Sequence, residues 1–255
     1  MTCIRVAALW RYPVKSLQGE PLEIATFTLD GIVGDRAVHV AGPRGVLTGR
    51  TRKGLLTVPA STDEKSVVHV AGHRWDSPEA AAIIREHGGP GAHLVADDSP
   101  ERFDDLNVNV ATVGAVTSWG HDVRRLRPNL LLSGVAAERE LQLPGNAIAI
   151  GDALIGVHSS CVRCVTTSID PDTGEQDLDV WRQIRDRFDN LLALNCWVIR
   201  GGQITVGDVA AVVPTDAMPS RRGGWTEGAP YPNSAGPENV NSPNSARSST
   251  GAPES

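Results

Sequence analysis

Two thiols three residues apart, Cys161 and Cys164, stand in the segment CVRCVTTSIDPDTG, just ahead of an acidic turn. Thiols in that pattern can bind zinc, cycle through a disulfide or ligate a softer metal centre. A structural zinc site needs a second CxxC or a His pair, but Cys3 and Cys196 are isolated and the His residues are scattered. A thioredoxin-like pair opens a helix whose N-terminus lowers the thiol pKa. Here the β-branched Val165, Thr166, Thr167 and Ile169 follow and favour an extended strand. Side chains three apart on a strand point to opposite faces, so one cysteine can face a pocket alone. Burial of both is the plain alternative, because free Cys packs as a small hydrophobe.

Three other segments supply cations. In YPVKSLQG, Pro13 blocks regular pairing and sets Lys15 and Ser16 on an exposed bend. In GIVGDRAVHV, Arg36 stands at the mouth of a strand. In RRLRPNLLLSG, Arg127 precedes Pro128 and is expected to be extended, with Asn129 beside it. Each cation alone usually ends on a solvated surface. Gathered at strand ends, Lys15, Ser16, Arg36, Arg127 and Asn129 make a ready anion pocket.

The elements that must position these residues are mostly short strands. AVHV and VLTGR flank AGPRG as a hairpin, and SVVHV with RWD forms another. Ser77 caps a helix that Pro78 opens and Gly88 closes. AIAIGDALIGVHSSCV reads as two β segments broken at Gly151-Asp152. Asp177–Phe188 reads as an amphipathic helix with Leu178, Trp181, Ile184 and Phe188 on one face. The expected class is mainly β (α+β): an N-terminal β-barrel-like region over residues 1–100, a β-barrel domain with a few helices over 101–214, and a tail. Residues 215–255 are rich in Pro, Gly, Ser and Asn and are expected to be disordered.

The 255 residues are 40% hydrophobic and 21% charged, which is ordinary for a globular chain. No apolar run of about 20 residues marks a membrane span, and no secretory signal is read at the N-terminus. Four cysteines are too few for a disulfide scaffold, so a reducing compartment, the cytoplasm, is expected. A net charge of −6 argues against nucleic acid as a partner.

Taken in order, YPVKS…GDR…LTGR and RPNLLLSG…IGDALIGV…CVRCVTTSIDPDTG…GGQITVGD resemble the MOSC family, named for the C-terminal domain of molybdenum-cofactor sulfurases. The resemblance runs from about Leu9 to Val213 and implies a MOSC N-terminal β-barrel region followed by the MOSC domain. Stand-alone members, the amidoxime-reducing components and their bacterial relatives, bind a molybdenum–pterin cofactor and reduce N-hydroxylated compounds. By that resemblance Cys164 ligates molybdenum, with Cys161 structural or beside the site. Lys15, Ser16, Arg36, Arg127, Asn129, Arg163 and Asn195 hold the molybdopterin and its phosphate, and Asp170 is a catalytic residue bordering the site. A small N-hydroxylated or N-oxide compound is then the substrate. The chain lacks the four spaced cysteines of a fused ferredoxin-like domain, so a separate ferredoxin- or cytochrome-type donor supplies electrons. The chain departs from the family in the stretch FDDLNVNVATVGAVTSWG, where Asp104 and Asp105 replace expected hydroxyls and oppose a bound phosphate. Two alternatives use the same residues: a sulfur carrier with a persulfide on Cys164, and a non-catalytic pterin- or anion-binding module.

Overall fold

The computed structural model describes residues 3–96 and 102–219. Residues 220–255, most of the expected disordered tail, lie outside the described residues, and residues 215–219 carry neither helix nor strand. In chain order the first part runs β1 (Ile4–Arg11), β2 (Glu20–Leu22), β3 (Ile24–Thr28), β4 (Gly31–Ile32), β5 (Val38–Gly42), β6 (Gly45–Leu47), β7 (Ala60–Thr62), β8 (Val68–Val70), β9 (His73–Arg74), α1 (Pro78–Gly88) and β10 (His93–Ala96). The second part runs β11 (Val108–Thr112), α2 (Val113–Trp119), β12 (Leu130–Ser133), α3 (Ala137–Glu140), β13 (Asn146–Ile150), β14 (Ala153–Val162), α4 (Leu178–Arg187), β15 (Leu191–Arg200), β16 (Gly202–Thr205) and β17 (Val209–Pro214).

The main sheet follows the order β12-β11-β15-β14-β13-β17-β1-β2, and β1 also pairs with β12. That second pairing closes seven strands into a barrel, with β2 attached outside the ring. Closure leaves no unpaired edge inside the ring. The barrel interior is filled by side chains such as Leu9, Leu130, Ile148, Ile155 and Leu194. Gly156 faces Trp197 across β14 and β15, where an added Cβ would lie 2.4 Å from the indole. The mainly β class is therefore found, with few helices.

Local signals produce the smaller elements. β5 and β6 form the expected hairpin, which β10 extends to three strands. β8 and β9 pair as expected, with β7 alongside. The Ser77 side chain accepts from the Ala80 N–H at 3.1 Å and Pro78 fills the first turn of α1. The helix ends one residue later than expected, at Gly89 with φ of 91°. Leu55, Val40, Val70 and Ile84 form a second core beneath this helix. The apolar face of α4 also differs from expectation. Val180 and Ile184 are buried, whereas Leu178 is exposed. Trp181 is turned aside because its Nε1 donates to the Arg163 carbonyl at 3.2 Å and to Asn190 Oδ1 at 3.1 Å.

A third core lies under α2 and α4, and one carboxylate fastens it to the barrel. Glu140 is 1% exposed. Its Oε2 accepts from the Thr112 N–H at 2.8 Å and the Thr112 hydroxyl at 2.7 Å, and its Oε1 accepts from the Ala193 N–H at 2.8 Å. Thr112 caps α2, and Ala193 sits in β15 with φ of 66°. Burial raises the Glu140 pKa above its ordinary 4.5, against the pull of the Thr112 and Ala193 donors. A carboxyl pKa raised by folding contributes stability below pH 4.5 and loses it as pH climbs through the folded-state value. Glu140→Gln turns an amide donor toward backbone donors and is expected to destabilise by about 1–3 kcal/mol. The gap from wild type should narrow as pH rises from 4.5, read by urea unfolding across a pH series. Equal stability of the two proteins at low pH would show that Glu140 fastens nothing.

Candidate functional site

Tyr12 follows directly on β1 and is 3% exposed. Its N–H donates to Asp35 Oδ1 at 2.7 Å, and its carbonyl accepts from the Arg36 N–H at 2.7 Å. The guanidinium of Arg127 lies 4.3 Å from the ring centroid and that of Arg36 lies 5.1 Å away. Gly19 closes on the ring so tightly that a Cβ would come within 2.5 Å. The phenol Oη is buried without a hydrogen-bond partner among the described residues. Burial pushes the Tyr12 pKa up to about 12, with Arg127 and Arg36 opposing. Arg36 itself pairs with Asp35 and reaches Asn129 Oδ1 at 3.5 Å.

Arg127 was expected to be extended ahead of Pro128, and it is not. It has φ 53° and ψ 49°, the left-handed residue closing a 3-10 turn over Val123–Leu126. The turn's own hydrogen bond, Arg127 N–H to the Arg124 carbonyl at 3.1 Å, outweighs the local preference that proline imposes. Ser16 and Arg36 are also left-handed, with φ of 71° and 51°. Such conformations cost about 1–3 kcal/mol each and gather at functional sites. Arg127 Nη2 is buried, and its guanidinium makes no hydrogen bond to a described residue. Burial, with Arg36 adding to it, pushes the Arg127 pKa down to about 10.

Lys15 and Ser16, expected on an exposed bend, are buried at 4% and 9% exposure. The Lys15 N–H donates to the Val38 carbonyl at 2.8 Å, which draws the bend inward against β5. Lys15 Nζ lies 2.8 Å from Asp104 Oδ1, and the Asp104 charge is also felt at Arg127.

The thiols lie at the end of β14 and just past it. Arg163 Nη1 stands 3.0 Å from Cys161 Sγ and its Nη2 donates to the Leu126 carbonyl at 2.6 Å. Burial raises the Cys161 pKa, with Arg163 opposing. Val165–Ser168, expected as a strand, forms a 3-10 turn with Cys164 at its N-cap. The hydroxyls explain the change: Thr167 Oγ1 donates to the Cys164 carbonyl at 3.0 Å and Ser168 Oγ to the Val165 carbonyl at 2.5 Å. Cys164 is half-buried, outside the apolar cores, and its Sγ donates to Thr166 Oγ1 at 3.2 Å. Asp170 Oδ1 accepts from the N–H groups of Asp172 and Thr173, both at 3.0 Å, and Oδ2 accepts from Arg125 Nη2 at 2.7 Å. The two N–H groups, then Arg125, hold its carboxyl below the usual range. Asn195 pairs in register with Asn109, and its amide donates to Ser159 at 3.3 Å.

A cavity of about 260 Å³ has walls that include Trp10, Tyr12, Gln18, Arg127, Thr166 and Pro171; of the residues expected at the site, Arg127 alone is in its lining. The structure thus brings Arg36 and Arg127 to the Tyr12 ring with Asn129 beside Arg36, Lys15 to Asp104, and Arg163 to Cys161. Cys164 is not in that lining and touches it only by its hydrogen bond to Thr166. Asn129 is fully buried and its side chain is engaged by Asn109, Trp10 and Arg36, so it positions other groups. Sequence reasoning did not single out Tyr12, Asn109 or Arg125, although Tyr12 opens the YPVKS segment. Among the described residues no three His, Cys, Asp or Glu side chains converge as a metal site. The half-buried Arg127 cation, unmatched by a hydrogen-bonding partner, burdens the free protein. Arg127→Met is expected to stabilise it by about 1 kcal/mol after loss of the cation–π contact. Thermal unfolding should show a Tm rise of roughly 2–4 °C; a fall would mean that the charge is compensated.

Two family models match the sequence: the MOSC N-terminal beta barrel domain over residues 3–93 and the MOSC domain over residues 85–211. No functionally curated protein matches it. Among solved structures, the YUAD protein from Bacillus subtilis is 13% identical with a TM-score of 0.44, over 85% of this chain and 98% of that one. YiiM from Geobacillus stearothermophilus is 14% identical with a TM-score of 0.36, over 63% and 72% of the two chains. YiiM from Escherichia coli is 16% identical with a TM-score of 0.33, over 49% and 60%. Likenesses this distant carry no argument, and the assignment rests on the two family models. The chain belongs to the MOSC family.

Proposed function

We propose that this chain binds a molybdenum–pterin cofactor around Tyr12 and reduces small N-hydroxylated or N-oxide compounds. The observation that supports it most is the buried, unpartnered Nη2 of Arg127, whose guanidinium lies over the ring of Tyr12, itself with an orphaned Oη. Buried donors and cations without partners call for an anionic ligand that accepts hydrogen bonds. When bound, the group supplies a molybdenum that accepts an oxygen atom from the substrate. Cys164 contributes the thiolate ligand, at a half-buried position one side chain from the cavity. Lys15, Arg36 and Arg127 hold the phosphate, while Tyr12 Oη and Asn109 Oδ1, both buried and unpartnered, offer a donor and an acceptor to the ring. Arg163 fixes Cys161, and Asp170 orders the wall beyond Thr166. Electrons come from a separate ferredoxin- or cytochrome-type protein, and the free thiols suit the cytoplasm.

The two cysteines separate this reading from its rivals. Cys164→Ser replaces a soft ligand with a hard, protonated hydroxyl. Turnover of an N-hydroxylated test compound should vanish, with pterin still retained by the cations. Cys161→Ser should cost about 1–2 kcal/mol in stability and keep most activity. Equal loss in both variants would point to a redox pair. A wild-type protein that carries persulfide on Cys164 but never holds stoichiometric molybdenum would make the chain a sulfur carrier.

A further inference from the structure

We propose that Asp104 is a resident counterion at the lysine end of the anion site, displaced whenever a phosphate group enters. This rests on the reading of the site as an anion pocket, though not on the metal. The Lys15–Asp104 pair is lopsided: at 2.8 Å separation, the lysine side chain is 5% exposed and the aspartate 69%. Lys15 cannot leave, because its backbone is tied to Val38 and its stem is buried. Asp104 can swing into water by rotation of its own side chain. Its backbone need not move, since the neighbouring Phe103 is buried at 5% exposure and packed under the Arg36 and Arg102 guanidinium groups, at 5.8 and 4.9 Å.

Asp104 stands where two cations can be served at once, since its charge also favours the charged form of Arg127. Arg36 already has Asp35. The exchange therefore trades one carboxylate charge for whatever charge the ligand carries. A monoanion gains little over the group it replaces. A phosphate dianion brings twice the charge and oxygens enough to meet Lys15 and Arg127 together. Asp104 thus sets a threshold, lowering the affinity for every anion and leaving dianionic phosphates as the class that binds.

Titration calorimetry of the full chain with inorganic phosphate at pH 8, and with acetate, tests this. Asp104→Asn should bind phosphate about tenfold tighter than wild type, and Asp104→Ser should show the same gain. In Asp104→Asn combined with Lys15→Met the gain should disappear. Asp105→Asn, which removes the same charge one residue away, should leave phosphate affinity near the wild-type value. Acetate should bind wild type more weakly than phosphate does. Unchanged affinity in both Asp104 variants, an equal gain in Asp105→Asn, or a gain that survives loss of Lys15 would overturn the proposal. Wild-type protein lacking molybdenum and pterin would sink the reductase reading alone, because the phosphate titrations need neither.

Discussion

Closure of the barrel by β1 is the constraint on which the remaining structure depends. β1 pairs through Ile4 and Arg5 with β17, and through Arg5 to Leu9 with β12. Without it, both neighbours would present open backbone edges. The joint is locked by Asn129, which is fully buried. Its Oδ1 accepts from the Asn109 N–H at 3.1 Å, its Nδ2 donates to the Trp10 carbonyl at 3.3 Å, and its carbonyl accepts from the Trp10 N–H at 3.0 Å. The strand that closes the ring is also the strand that delivers Trp10 and Tyr12 to the cavity. Barrel integrity and site geometry are one requirement.

Strain and charge concentrate where that strand leaves the ring. Ser16, Arg36 and Arg127 adopt left-handed backbone conformations, and near them lie Lys15, paired with Asp104, and Arg163, which holds Cys161 and the Leu126 carbonyl. A free chain carries these costs because the surrounding cores over-determine the backbone.

What the sequence revealed and what it hid divides by distance along the chain. Helix α1 and the β5–β6 and β13–β14 hairpins were legible because Ser77, Pro78 and turn glycines act within a few residues. The mainly β class followed from many such signals. Barrel closure was not legible, since no local pattern pairs Ile4 with Ala210. Two local rules also failed at the site. The β-branched run after Cys164 coils because its hydroxyls bond back to the preceding carbonyls. Arg127 turns left-handed despite the following proline because it ends a hydrogen-bonded turn. Lys15 was expected in water, and no propensity could announce its burial beside Asp104, because its partner lies 89 positions away in sequence.

The pairing of β1 with β17 has a consequence for how the molecule comes into being. Strand β1 can pair early with β2, but its Ile4–Arg5 end completes its pairing only when Val209 and Ala210 have been synthesised. During translation the N-terminal strand therefore waits with an unsatisfied edge while nearly the whole described chain emerges. Contacts of such high sequence separation slow folding and prolong exposure to aggregation. The hairpin sheets and the core under α1, whose partners are close in sequence, can form in the meantime. Assembly of the cavity that Trp10 and Tyr12 line then becomes the closing event of folding.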